Sequence, residues 1–207
     1  LNSSDNQLTS LDVSKNTDLT ELDCYGNQIN GENMTKLVNS LPSRKGLRSG
    51  NLVIVSRRES EVNLCRQSDI AIAQEKNWIP KWQNGDSYKG IGDGVIIMTT
   101  SKAVGEKVEL KIKANGDVLI EGVSEMPYLS ERYSENYTLT SQTITIQGDV
   151  TEFDCYGNQL TSLDVTSCTS LTKLNSSDNQ LTSLDMTSCA SLTKLNSSDN
   201  QLTSLDV

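Results

Sequence analysis

The string LNSSDNQLTSLD stands three times in the chain, at residues 1–12, 174–185 and 195–206, and the second and third copies lie 21 residues apart. Such a period constrains the architecture before any local propensity does, because each copy presents the same side chains to the copies stacked beside it. Two further copies fall in the same frame, LDCYGNQ from Leu22 to Gln28 and FDCYGNQ from Phe153 to Gln159. The full unit, LTxLxxxxNQLTSLDVTSCxS, is clearest from Leu171 to Ser191.

Side chains around Leu174 alternate as on a short strand, and a second strand is implied at Leu163-Asp164-Val165, Leu184-Asp185-Met186 and Leu205-Asp206-Val207. Each half of the unit holds ten or eleven residues, too few for a helix on either side. Leu174, Leu181, Leu184 and Leu192 are expected to point inward. Asn6, Asn27, Asn158, Asn179 and Asn200 form one column where the first strand ends. An amide carries two donors and an acceptor, so this column is expected to be a structural ladder that satisfies turned-in peptide groups. Cys24 and Cys155 share the inward position that Ser176 and Ser197 hold in other copies, and Cys168 and Cys189 share a column with Asn16. Free, buried thiols are expected, since five cysteines without a C-x-x-C pair suggest neither a disulfide framework nor a zinc site. Asp12, Asp164, Asp185 and Asp206 form an outward column, read as a solvated face in preference to a calcium site because no second acidic column accompanies it.

The first half of the unit, Leu171-x-x-Leu174-x-Ser176-x-x-Asn179-x-Leu181, fits the leucine-rich repeat template. The repeats resemble those of bacterial cell-surface leucine-rich repeat proteins of the internalin-like kind, over about half the chain. The resemblance implies a solenoid of parallel β coils, and a non-enzymatic, secreted or cell-surface module whose partner is a protein or a glycan and whose role is adhesion. The alternative is a structural spacer or stalk in a larger surface protein, favoured by the near-identity of the copies.

Residues 31 to 137 break the period. Met34, Leu37, Val38 and Leu41 recur at helical spacing before Pro42, which predicts a helix over 33–41. A buried strand is expected over 51–55, then a second helix capped by Ser68, then a strand from Trp78 to Gln83. Gly90-Ile-Gly92-Asp93-Gly94 reads as a turn, since no phosphate-binding strand and helix flank it. Val108, Leu110 and Ile112, then Val118 and Ile120, alternate with polar residues and predict a hairpin closed by Ala114-Asn115-Gly116. A further strand within Tyr137 to Gln147 turns Ile144 and Ile146 inward. The expected fold class is therefore α+β: a leucine-rich repeat solenoid in two blocks, residues 1–30 and 144–207, separated by an α/β capping segment, 31–90, and a β cap or small β module, 91–143.

Composition narrows function. There is no histidine among 207 residues, which removes Ser-His-Asp and Cys-His chemistry, and the expectation is no enzyme and no cofactor. A net charge of −9 argues against nucleic acid as partner. No apolar run approaches the roughly 20 residues of a spanning helix, so direct membrane insertion is not expected. The basic residues concentrate in 31–113, where Arg57 and Arg58 beside Glu59 and Glu61 suggest a mixed-charge solvated face. Opening at Leu1 and stopping inside the pattern, the chain reads as a piece of a longer protein, with any signal and anchor outside it. Candidate ligand-binding residues are the outward positions of the first strands: Glu152, Asp154 and Tyr156, then Lys173 and Asn175, then Lys194 and Asn196, with Tyr25 as the counterpart of Tyr156 in the first block. A bland role for both tyrosines, covering the junction between repeat and cap, competes with this.

Overall fold

The computed structural model describes residues 1–56, 62–124 and 134–207, so the mixed-charge face at Arg57, Arg58, Glu59 and Glu61 lies outside the described residues. The chain forms two compact units, Leu1–Ile91 and Gly92–Val207.

In the first unit, β1 (Glu21–Asp23), β2 (Gly50–Val55) and β3 (Trp78–Trp82) make a parallel sheet in that order, with α1 (Gly31–Ser40) and α2 (Gln67–Glu75) in the connections. Parallel neighbours need such long crossovers. The helical spacing read from the sequence places Met34, Leu37 and Val38 in the core, against Leu22 and Leu52 of the sheet and Ile70 and Ala73 of α2. Close packing fixes one glycine: a Cβ on Gly50 would lie 2.6 Å from the ring of Trp78, whose indole N–H donates to the Pro42 carbonyl at 2.8 Å. Ser68 does not cap α2. The N-cap is Arg66, and the first turn is closed by Asp69, whose carboxylate accepts the Arg66 amide at 3.1 Å and the Thr35 hydroxyl at 2.7 Å. A carboxylate three residues into a helix can satisfy the cap amide as well as a serine at the start.

The second unit begins with β4 (Val95–Thr100), β5 (Lys107–Ala114), β6 (Leu119–Glu121), β7 (Glu135–Thr138) and β8 (Thr143–Gln147). It continues with β9 (Val150–Asp154), β10 (Leu160–Asp164), β11 (Lys173–Asn175), β12 (Ser183–Asp185), β13 (Lys194–Asn196) and β14 (Ser204–Asp206). They form a five-stranded mixed sheet β13-β11-β9-β5-β7, a four-stranded antiparallel sheet β10-β4-β8-β6 and a parallel pair β12-β14. One core joins them: Val108, Leu110 and Ile112 of β5, Phe153 of β9 and Leu174 of β11 pack with Ile96 and Met98 of β4, Ile144 and Ile146 of β8 and Leu184 of β12.

An α+β leucine-rich repeat solenoid in two blocks, the fold class expected from the repeats, is not what the chain forms. It is mainly a β-sheet protein with two helices among the described residues, in separate parallel, antiparallel and mixed sheets. The 21-residue step survives as short parallel stretches, Phe153 to Leu174 to Leu195, Leu184 to Leu205 and the bridge of Asn2 to Asp23. Beside Phe153 the ladder gives way to antiparallel β5, and β10 pairs with antiparallel β4. In the first unit the register runs Leu22 to Leu52 to Pro80, because each connection must hold a helix.

The expected hairpin is also absent. Val108, Leu110, Ile112, Val118 and Ile120 are all buried, but β5 lies between β7 and β9 whereas β6 pairs with β8 in the other sheet. Asn115 marks the crossing: its amide N–H donates to the Asp149 carbonyl at 3.0 Å and its side chain to the Asp149 carboxylate at 2.8 Å. Alternation fixes which face is buried, and two sheets sharing one core satisfy it as well as a hairpin does.

Candidate functional site

The asparagine column is built from repeated bonds. In Asn27, Asn179 and Asn200 the side-chain amide donates to the carbonyl three residues earlier, at 2.9 to 3.1 Å, and to a carbonyl of the preceding copy: Ser3, Cys155 and Ser176 respectively. Their oxygens accept the amides of Leu8, Leu160 and Leu181 at 2.9 to 3.0 Å. Asn158 keeps the bond to Cys155 but turns to Glu109, donating to its carbonyl at 2.7 Å and accepting its amide at 2.9 Å, because β5 stands where an earlier copy would, and its oxygen also accepts the Lys102 ammonium at 3.5 Å. Asn6 is exposed and bonds only to Ser3 and Ser4 of its own turn. Buried Asn63, which the repeat spacing does not reveal, plays the same part in the first unit, donating to Cys24 and Ile54 and accepting from Ile29. The residue before each member of the column is left-handed: Asp5, Gly26, Gly157, Asp178 and Asp199 have φ between 53° and 68°. That explains why the position alternates between glycine and aspartate, the residues that enter this region at least cost.

All five cysteines are free and buried. Burial pushes the Cys155 thiol well up and the Cys168 thiol up to about 12, so neither is a nucleophile near neutral pH. The outward aspartates are engaged locally. Asp164 and Asp185 each accept the amide and hydroxyl of the threonine two residues on, at 2.7 to 2.9 Å, and Asp12 accepts the Ser14 amide at 2.8 Å. These bonds hold the Asp185 and Asp12 carboxyls below the usual range.

The outward face of the mixed sheet gathers the candidate binding residues of the second unit. Registers align Lys113, Glu152, Lys173 and Lys194 in one row and Lys111, Asp154, Asn175 and Asn196 in the next. Adjacent members stand about 4.8 Å apart, the spacing of paired strands. Glu152 lies between two lysines, 3.2 Å from Lys113 and 2.9 Å from Lys173, and the Lys173 hydrogen bond is the main reason its carboxyl sits below the usual range. In the second row the Asn175 side chain donates to Asp154 at 3.0 Å, and Asn196 to the Ser177 hydroxyl at 3.2 Å. Asp154 also accepts the Tyr156 amide at 3.1 Å, which ties the strand end to an aromatic ring that is 57% exposed. Lys194 is exposed and borders Lys173 without an acidic neighbour in its register.

Lys111 and Lys113 are members that sequence reasoning missed. They reach the face because β5 pairs with β9, and only the pairing, which alternation does not encode, would have shown it. Tyr25 belongs to the other unit and is half-buried there. Its neighbour Asp23 is half-buried too, and desolvation, with Glu21 nearby, raises its carboxyl above the usual range. Among the described residues no helix is long and apolar enough to cross a membrane. Comparison of the chain with protein-family models, with curated proteins and with solved structures finds no match.

Proposed function

We propose that this chain is a non-enzymatic binding module of a secreted or cell-surface protein, recognising a protein or glycan through the outward face of its mixed sheet. The observation that carries the reading is the pair of polar rows. Lys113, Glu152, Lys173 and Lys194, with Lys111, Asp154, Asn175 and Asn196, form a flat array of both charges on paired strands, and exposed Tyr156 stands at one border. Strands hold such side chains at fixed spacing, so little ordering is needed when a partner binds. Tyrosine adds a large, stiff contact with a polar tip. The likeness of the 21-residue string to internalin-like proteins supports the surface location and the adhesive role.

A structural spacer is the second reading, favoured by one observation: Leu174 to Leu184 repeats letter for letter at Leu195 to Leu205, whereas a tailored site varies its outward residues. The test is an array of extracellular-matrix proteins and of neutral, sulfated and uronic-acid glycans, probed with the 207-residue chain and with its Lys173→Ala/Lys194→Ala variant. Binding by the first that is weakened in the second supports the module. Silence across the array leaves the spacer as the better reading.

A further inference from the structure

We propose that the partner of the mixed-sheet face is an acidic glycan, a chain of sugars carrying carboxylate or sulfate groups, held by the lysines of β5 and β11. The inference rests on the binding role proposed above and narrows it to one ligand chemistry. It starts from where the charges stand. Residues 92–207 hold 7 Lys and Arg against 16 Asp and Glu, a net charge of −9. Five of those seven basic residues nevertheless share one face: Lys107, Lys111 and Lys113 on β5, Lys173 on β11 and Lys194 on β13. Lys102 borders the strip, its ammonium donating to the Lys107 carbonyl at 2.8 Å. The alternation of β5 turns Val108, Leu110 and Ile112 into the core, so each outward residue from 107 to 113 is charged, and all but Glu109 are lysines.

The acidic residues of the same face are occupied by their neighbours. Glu109 accepts the Ser134 hydroxyl, and Glu152 accepts the ammonium groups of Lys113 and Lys173 at 3.2 and 2.9 Å. Asp154 accepts the Asn175 side chain at 3.0 Å and the Tyr156 amide at 3.1 Å. These carboxylates therefore act as struts within the face, and its five lysines outnumber them. A local surplus of one sign on a molecule of the other sign draws in ligands that the molecule as a whole repels. The ligand that fits is an anion.

Its extent and surroundings narrow the class. The strip runs about 20 Å along β5 from Lys107 to Lys113 and about 14 Å across the strands from β5 to β13. That is the reach of an extended polyanion, not of a single small ion. Nucleic acid fits poorly: Tyr156 is the one aromatic beside the rows, so unpaired bases find no succession of stacking platforms, and three carboxylates interrupt any phosphate path. An acidic peptide fits poorly as well, since protein partners draw most of their affinity from large side chains seated in pockets, and these rows are flat and polar. A sugar chain needs partners for its hydroxyl groups beside those for its anions. Asn175 and Asn196 stand in the row next to Lys173 and Lys194. Among the described residues each gives one side-chain N–H to a neighbour, Asp154 and Ser177 respectively, which leaves the second donor of each amide for a sugar oxygen.

Titration calorimetry on the 207-residue chain tests this with a heparin oligosaccharide as the sulfated arm and a polygalacturonate oligosaccharide as the carboxylated arm. Neutral dextran, polyglutamate and single-stranded oligothymidylate are the controls. The expected result is that one anionic glycan, which thereby identifies the anion, binds more tightly than every control. Its affinity should fall at least about tenfold between roughly 50 and roughly 200 mM salt, as counterions are released. Lys107→Gln/Lys111→Gln and Lys173→Gln/Lys194→Gln should each weaken it by at least about fivefold and flatten the salt dependence. Lys36→Gln/Lys45→Gln, the same charge change at exposed sites of the other unit, should leave it within about twofold. An equal loss in that last variant would trace binding to bulk charge and overturn the proposal, as would polyglutamate or DNA held as tightly as the glycan. A protein or neutral glycan bound while both anionic glycans are ignored would overturn it too, with the binding module itself intact. Silence toward every probe and across the matrix array would remove both.

Discussion

Asn179 shows how much one side chain can carry: three carbonyls accept from its amide group, and two backbone amides donate to its oxygen. Deleting it strands buried peptide groups, so Asn179→Ala should destabilise the second unit by about 1 to 3 kcal/mol, while Asn6→Ala, exposed and bonded only to its own turn, should cost a few tenths. Paired denaturant melts decide it, and equal losses would refute the ladder. The spacing of 21 made Asn27, Asn158, Asn179 and Asn200 legible as a column. Asn63 escaped because it lies outside the period itself, with a helical connection between it and its partners Cys24 and Ile29. The buried thiols have a pH signature of their own. Their neutral forms are favoured by burial, so their pKa values in the folded chain lie above those in the unfolded one. The unfolded chain therefore loses these protons first. Stability from this source is intact below pH of about 9 and falls as pH rises from there toward about 12. Thermal melts across that range should show the fall, and Cys155→Ser/Cys168→Ser should flatten it; an unchanged slope in the variant would assign the loss to other groups.

At the scale of elements, periodicity located the strands and the helices but not the partners. The apolar spacing of Met34, Leu37 and Val38 and the alternation of Val108, Leu110 and Ile112 each reported the buried face correctly, because burial is a local consequence of side-chain period. Pairing is decided by the rest of the chain. A three-residue turn after Ile112 satisfies the same alternation as a crossing at Asn115, and the core shared by two sheets chooses the crossing. The proposed binding face inherits this, since Lys111 and Lys113 join it only through the β5–β9 pairing. Cross-strand contacts in nuclear Overhauser spectra provide the check. Backbone protons of Lys111 and Lys113 should lie close to those of Asp154 and Glu152, and those of Ile112 should show no contact with Val118 across a turn. The reverse pattern would restore the hairpin and remove both lysines from the face.

Over the whole molecule, a chain of net charge −9 places four of its 18 basic residues on the two rows of one sheet, interleaved with Glu152 and Asp154. Repeats elsewhere in the second unit supply ladders and leucines, alike in every copy, and extend the two rows with Lys173, Asn175, Lys194 and Asn196. Glu152 to Gly157 departs from the string, bringing Glu152, Asp154 and Tyr156 to the place where the parallel ladder meets antiparallel β5. The binding role proposed above is centred on that departure. Its most direct test is the dissociation constant of the array partner for the 207-residue chain and for Tyr156→Ala, measured by titration calorimetry with far-UV signal and melting temperature as controls. A ring central to binding is worth about 2 kcal/mol or more, so affinity should fall by roughly 30-fold with folding unchanged. Affinity within about twofold of the original chain, again with folding unchanged, would contradict the assignment of the partner to this face.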